Sequence, residues 1–144
     1  MRELTLTDVP ELVEMGRAMH SESRFARYDF NPQKYAAFLA TLIPQGLSFA
    51  AEEEGALVGA FVGGRAQHPF GDDWFSYDWL TYVTPARRGG LGVTLVKRYI
   101  KLAKAMGIED IHIGVSAGIA TDRTERLYSK LGFTRIGGGY VLGV

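Results

Sequence analysis

The stretch Val83-Thr84-Pro85-Ala86-Arg87-Arg88-Gly89-Gly90-Leu91-Gly92-Val93 decides how this chain is read. It follows Trp74-Phe75-Ser76-Tyr77-Asp78-Trp79-Leu80-Thr81-Tyr82-Val83, a long aromatic run that reads as a strand over 74–83. Pro85 ends that strand because it has no N–H to give to a ladder. Gly89, Gly90 and Gly92 permit positive φ and close backbone approach. A helix to about residue 106 comes next, with Leu95, Val96, Tyr99, Ile100 and Ala103 as its apolar stripe and Gly107 as its stop. Unpaired N–H groups at a helix start, with two arginines beside them, make a site for an anion. Strand, Gly-rich loop with arginine, then helix is the specification of a diphosphate cradle.

Two familiar phosphate loops do not fit. A Walker A loop needs Lys then Ser or Thr after its last glycine, and here Val93-Thr94 follows Gly92. A dinucleotide fingerprint needs a third glycine three residues after Gly92, where Leu95 stands.

Outward from this segment, strands and helices alternate. Residues 2–6 read as a short strand, and Thr7 or Asp8 caps a helix to about residue 21 with Pro10 near its first turn. Asn31-Pro32 opens a second helix with Tyr35, Phe38, Leu39 and Leu42 as its stripe. Residues 47–53 and 56–66 form two strands turning at Glu54-Gly55. On the C-terminal side, Ile111–Val115 reads as a buried strand. A last helix follows, with Asp122 and Glu125 at capping-box spacing, Thr124, Leu127, Tyr128 and Leu131 on its inner face and Gly132 at its end. Residues 133–136 and 140–143 read as two final strands around Gly137-Gly138-Gly139. The order is β-α-α-β-β-β-α-β-α-β-β, an α/β chain built on a mixed sheet.

Composition removes whole classes of function. The 144 residues suit one domain spanning 1–144, long enough to bury a core without disulfide or metal support. Sixteen Lys and Arg balance sixteen Asp and Glu, which argues against a general nucleic-acid binder. Without cysteine there is no disulfide scaffold, thiol nucleophile or cysteine-bound zinc, and the three histidines lack metal-ligand spacing, so no metal is expected. No apolar run is long enough to span a bilayer and the N-terminus has no signal-peptide core, so a cytoplasmic location is expected.

Arg87-Arg88-Gly89-Gly90-Leu91-Gly92 resembles the R/Q-x-x-G-x-G/A hallmark of the GCN5-related N-acetyltransferase (GNAT) superfamily. Leu127-Tyr128-Ser129-Lys130-Leu131-Gly132-Phe133 resembles the L-Y-x-K-x-G-F signature of the same family. The two motifs fall in the matching elements at the matching separation. Counting from Val83-x-Pro85 makes Arg88 the motif arginine, whereas counting back from Leu95 makes it Arg87; the loop is one residue shorter than usual. The resemblance implies the acyl-CoA N-acyltransferase fold: a mixed, mostly antiparallel sheet of six to seven strands flanked by about four helices.

It also implies direct transfer of an acetyl group from acetyl-CoA, as co-substrate, to a primary amine of a small molecule or protein in a ternary complex. The alternative on the same fold is a non-catalytic CoA-binding or protein-interaction module. By resemblance, the diphosphate sits on amides of Arg87, Arg88, Gly89, Gly90, Leu91, Gly92 and Val93. The pantetheine arm lies between the fourth and fifth strands, against backbone of Thr81, Tyr82 and Val83 and of Val115 and Ser116. Diverging strands leave N–H and C=O groups that such an arm satisfies. A backbone N–H near Tyr82 or Val83 stabilises the oxyanion of the tetrahedral intermediate. Tyr128 is the residue that protonates the departing thiolate. Thr121 and Thr124 stand where the family often has Asn and Ala. Many relatives dimerise, and the sheet edge with the final strands offers pairing across a two-fold axis.

An alkyl amine is protonated at neutral pH, so a general base is needed. Asp78 is the candidate: alternation puts Trp74, Ser76, Asp78, Leu80 and Tyr82 on one face, where apolar neighbours raise a carboxylate pKa. Asp72-Asp73 near Trp74, and Arg24 to Phe30 between the first two helices, line the acceptor side by resemblance. His20 and His68 read as solvent-exposed, and His112 as a structural histidine.

Overall fold

The structure, a computed structural model, describes residues 1–115 and 118–143. Strands β1 (Arg2–Glu3), β2 (Ser48–Glu53), β3 (Ala56–Gln67), β4 (Trp74–Val83) and β5 (Asp110–Ile111) form one five-stranded sheet in the order β1-β2-β3-β4-β5. The first three pairings are antiparallel and β4–β5 is parallel. The α-helices among the described residues are α1 (Val9–Glu22), α2 (Pro32–Leu42), α3 (Gly90–Ala105) and α4 (Thr121–Lys130), with short 3-10 turns between elements. Among the described residues no helix is long and apolar enough to cross a membrane.

Local chemistry explains most boundaries. Asn31 Oδ1 accepts from Lys34 N at 3.0 Å and so caps α2, with Pro32 in the first turn. Glu54 and Gly55, at φ 50° and 80°, make the two-residue β2–β3 hairpin turn, whose twist matches that of the strands. Asp8 acts otherwise than expected: instead of capping α1 it accepts from Thr5 N at 2.8 Å and from Arg2 at 2.9 Å. These bonds hold its carboxyl well below the usual range, at about 2.

Helices α1 and α2 cover one face of the sheet, with Leu12, Leu39, Ala60, Val62 and Leu80 in that core. Helix α3 covers the other, where Phe61 stacks on Phe49 at 5.2 Å and on Tyr99 at 4.4 Å between ring centroids. Phe49 and Ala50, and Phe61 and Val62, enter opposite cores, as the period of a strand requires.

The strand β4 breaks that period. Val62 pairs with Leu80 but Gly63 pairs with Asp78, leaving Trp79 as an extra residue in a β-bulge. Ser76 is fully buried against Tyr99 of α3, whereas Leu80 and Tyr82 join the α1/α2 core. The expected common face for Trp74, Ser76, Asp78, Leu80 and Tyr82 is therefore corrected: the bulge flips the parity between Asp78 and Leu80.

The sheet is also narrower than the expected six to seven strands. Of the expected strand 111–115, only Ile111 lies in β5, which runs Asp110–Ile111. The expected strands 133–136 and 140–143 do not form among the described residues. Ile136, Tyr140 and Leu142 are almost wholly exposed. A two-stranded ribbon needs a neighbour on which to bury its apolar face, and Gly137-Gly138-Gly139 adds the conformational cost of three glycines.

Candidate active site

The parallel strands β4 and β5 pair only at Phe75–Asp110 and Ser76–Ile111, with one further bond from His112 N to Ser76 O at 2.9 Å. Tyr99 pins this junction from α3: its hydroxyl donates to His112 O at 2.6 Å and lies 2.8 Å from Ser76 Oγ. Beyond it the chains part. Where a ladder would continue, the Asp78 carboxylate instead accepts from Gly114 N at 2.9 Å. A side chain spans the opening that backbone no longer closes.

That opening is part of a cleft of about 530 Å³. One end is bounded by Arg88, Gly89, Gly92 and Val93 of the loop and first turn of α3. Asp78, Thr81, Tyr82 and Val83 of β4 line one wall, and Gly114, Val115 and Tyr128 lie on the facing side. The sequence-predicted residues thus meet in one cavity, with three differences. Arg87 turns outward, its Nε donating to Glu53 Oε1 at 2.7 Å. Leu91 packs on the α3-side core, and its side chain lies 3.1 Å from where a Cβ on Gly59 would stand. Gly90 opens α3 without lining the cleft. Ser116 lies outside the described residues.

The loop is open to a ligand. A Cβ placed on Gly89, Gly90 or Gly92 would meet nothing within 4 Å. Gly89 has φ 139° and ψ −121°, a conformation closed to side-chain-bearing residues. Gly89→Ala is therefore expected to cost about 1–3 kcal/mol, purely in backbone strain. Thermal unfolding should show a Tm lowered by roughly 2–4 °C per kcal/mol; an unchanged Tm would refute the strain.

Arg88 is held rigidly. Its Nε donates to Val83 O at 3.0 Å, its Nη2 to Glu22 Oε2 at 2.8 Å, and its guanidinium lies 5.3 Å over the Tyr82 ring. Tyr82 donates to the same Glu22 oxygen at 2.6 Å. These two donors, Arg88 foremost, hold the Glu22 carboxyl below the ordinary carboxylate range. Sequence reading did not find Glu22, which stands 66 residues from its partner.

Tyr128 is placed by the end of α4. Gly132, at φ 95°, lets Phe133 N donate to Tyr128 O at 3.0 Å and Gly132 N to Ser129 O at 3.1 Å. These are the paired bonds of a Schellman cap, and the Tyr128 and Phe133 rings make its apolar contact at 5.8 Å. The Gly-Phe that follows the tyrosine is what orients its ring. The Tyr128 hydroxyl lies 3.5 Å from Gly114 O, a loose contact. Burial, with the Asp78 charge adding to it, pushes its pKa above the usual range. Desolvation likewise raises Asp78 to about 6, against the opposing bond from Gly114 N.

Trp79, Met19, Arg123 and Arg126 also line the cleft and were not singled out from sequence, and Lys130 of the second motif lines it with them. The spacing of the three α4 cations on one helical face was the available signal. Two histidines sit otherwise than expected: His68 Nε2 pairs with Asp110 at 2.7 Å and His20 packs on Phe30. His112 has its Nε2 2.8 Å from Asp110 Oδ1.

The chain is similar in fold to many solved structures. A predicted acetyltransferase with acetyl-CoA from Clostridium acetobutylicum superposes with a TM-score of 0.77 at 19% identity, covering 99% of this chain and 94% of that one. An agmatine N-acetyltransferase mutant, S171A in its apo form, gives 0.77 at 18% identity, covering 94% and 82%. A ribosomal-protein-alanine N-acetyltransferase from Brucella melitensis biovar Abortus 2308 gives 0.68 at 18% identity, covering 98% and 96%. Identities this low establish the fold alone. No curated protein matches the sequence. The model of the Acetyltransferase (GNAT) family, however, matches residues 13–133, spanning the cleft and both motifs, and the chain belongs to that family.

Proposed function

We propose that this chain transfers an acetyl group from acetyl-CoA directly to a primary amine in a ternary complex. The observation that carries the reading is the convergence in one cleft of an open glycine loop, a carboxyl raised to about 6 and a half-buried tyrosine, at the point where β4 and β5 part. The family supports acyl transfer, and a neighbour solved with acetyl-CoA supports the donor.

The amides of Gly89 to Val93 and the Arg88 guanidinium hold the diphosphate, and the β4 backbone at Thr81–Val83 takes the amide-bearing arm. Asp78 removes a proton from the ammonium of the acceptor. Its raised pKa brings it nearer the amine's own value while leaving it ionised above about pH 6. The free amine forms a C–N bond to the thioester carbonyl, and a backbone N–H near Tyr82 or Val83 receives the oxyanion. The C–S bond then breaks and Tyr128 gives its proton to the thiolate. The second N–H proton of the attacking nitrogen restores the phenol. With no cysteine in the chain, no cysteinyl acyl-enzyme forms.

Two measurements test this together. CoA at about 100 Kd should stabilise the protein by about 2.7 kcal/mol, read as a rise in Tm. Thiol release from acetyl-CoA across a panel of primary amines should reveal turnover. Stabilisation without turnover for any amine would identify a binding module, and absence of any shift at millimolar CoA would remove the donor assignment.

A further inference from the structure

The β-bulge does more than reset the parity of β4: it brings an aromatic side chain to the cleft. In an unbroken strand Asp78 and Trp79 would point to opposite faces. Here both line the cleft, because the extra residue re-aims the strand between the Gly63–Asp78 and Val62–Leu80 pairs. Trp79 is 55% exposed, yet it is braced on two sides. The Phe38 ring of α2 meets it at 5.1 Å and the Tyr77 ring at 5.9 Å, each at 88° to the indole plane. Tyr77 in turn pairs with Gly64, and its hydroxyl lies 2.7 Å from where a Cβ on that glycine would stand. The absent side chain leaves the space that the buttressing ring occupies. Met19 of α1 adds a further apolar group to the same lining. A braced indole whose remaining surface is open is preorganised to take an apolar ring.

Charge narrows the ligand further. Among the described residues Asp78 is the single carboxylate of the cleft lining, against Arg88, Arg123, Arg126 and Lys130. A second ammonium on the acceptor would find no carboxylate there and would meet like charges. Building on the acetyl-transfer reading above, we propose that Trp79 determines acceptor specificity and that the acceptor is a monoamine with an aromatic body, its ring stacked on the indole and its amine at Asp78. Carboxylate and indole are neighbours along the chain, so a short linker joins ring to amine. An aromatic body is favoured over an alkyl one because ring pairs gain from their quadrupoles beyond the area they bury.

Rates of thiol release from acetyl-CoA with matched amines test the assignment. Native kcat/KM should be about two- to tenfold higher for phenethylamine than for cyclohexylethylamine, which has a similar shape but no π face. It should exceed that for spermidine by about tenfold or more. Trp79→Ala should bring the first ratio to about 1 and raise KM for phenethylamine about tenfold, with a smaller change in kcat. Trp79→Phe should keep most of the preference. The exposure of Trp79 means that its truncation opens no cavity in the core, and each ratio is internal to one variant. Equal rates for the two ring amines in the native protein, a ratio that survives Trp79→Ala, or spermidine as the better substrate would each overturn the aromatic acceptor and leave amine acetylation standing. No thiol release with any amine, from protein that calorimetry shows to bind CoA, would overturn the acetyl-transfer reading and this one with it.

Discussion

Asp78→Asn should lower kcat/KM for amine acetylation by about 10²–10⁴-fold, the usual contribution of a positioned general base. The native profile should rise with pH through about 6, the value to which burial lifts this carboxyl, and that limb should vanish in the variant. A limb that persists in Asp78→Asn would assign the base elsewhere. The same group makes a stability prediction of opposite sign. Its folded-state pKa lies above the ordinary value of 3.8, so the folded protein holds the proton more tightly than the unfolded chain does. The carboxyl's contribution to stability is therefore greatest at low pH and is lost as pH rises through about 6. Asparagine carries no charge to desolvate and retains an oxygen for Gly114 N. Asp78→Asn should thus raise Tm more at about pH 8 than at about pH 4. A variant that is less active yet more stable above neutrality is the signature of a carboxylate kept for chemistry.

Tyr128→Phe should reduce kcat by about 10²–10³-fold, within the range for loss of a general acid. CoA Kd should change little, because the phenyl ring keeps its contact with Phe133 and only the hydroxyl, loosely placed 3.5 Å from Gly114 O, is removed. Fold stability should change little for the same reason. Rapid-mixing and steady-state kinetics separate the cases: an unchanged kcat would return Tyr128 to a packing role. The upward-shifted pKa keeps the phenol protonated across the working range, so no acid-limb change is expected from this substitution.

Much of this was readable along the chain because the deciding interactions are local. Trp74–Val83 and the helix starting at Gly90 follow from the aromatic run, from Pro85 and from the glycine turn, each acting over a few residues. The Gly132-Phe133 pair signals the cap of α4 and, through it, the setting of Tyr128. The two motifs therefore carried the family and the neighbourhood of the cleft.

What the residues alone determined was the chemistry available: a glycine loop with cations at a helix start, a carboxyl and a phenol in strand and helix, and no thiol. Tertiary structure decided which of these face one another. The bulge at Trp79 depends on how β4 meets β3, and it reverses the side on which Leu80 and Tyr82 fall. Arg88 rather than Arg87 faces the cleft because Glu22 and Glu53, distant in sequence, draw the two arginines apart. The final strands fail for the same reason in reverse: an alternating pattern needs a partner edge, and the open edge of β5 is only two residues long. Pattern sets what a segment is able to form, whereas pairing across long separations sets which groups lose water together, and that loss is what lifts Asp78 toward neutrality.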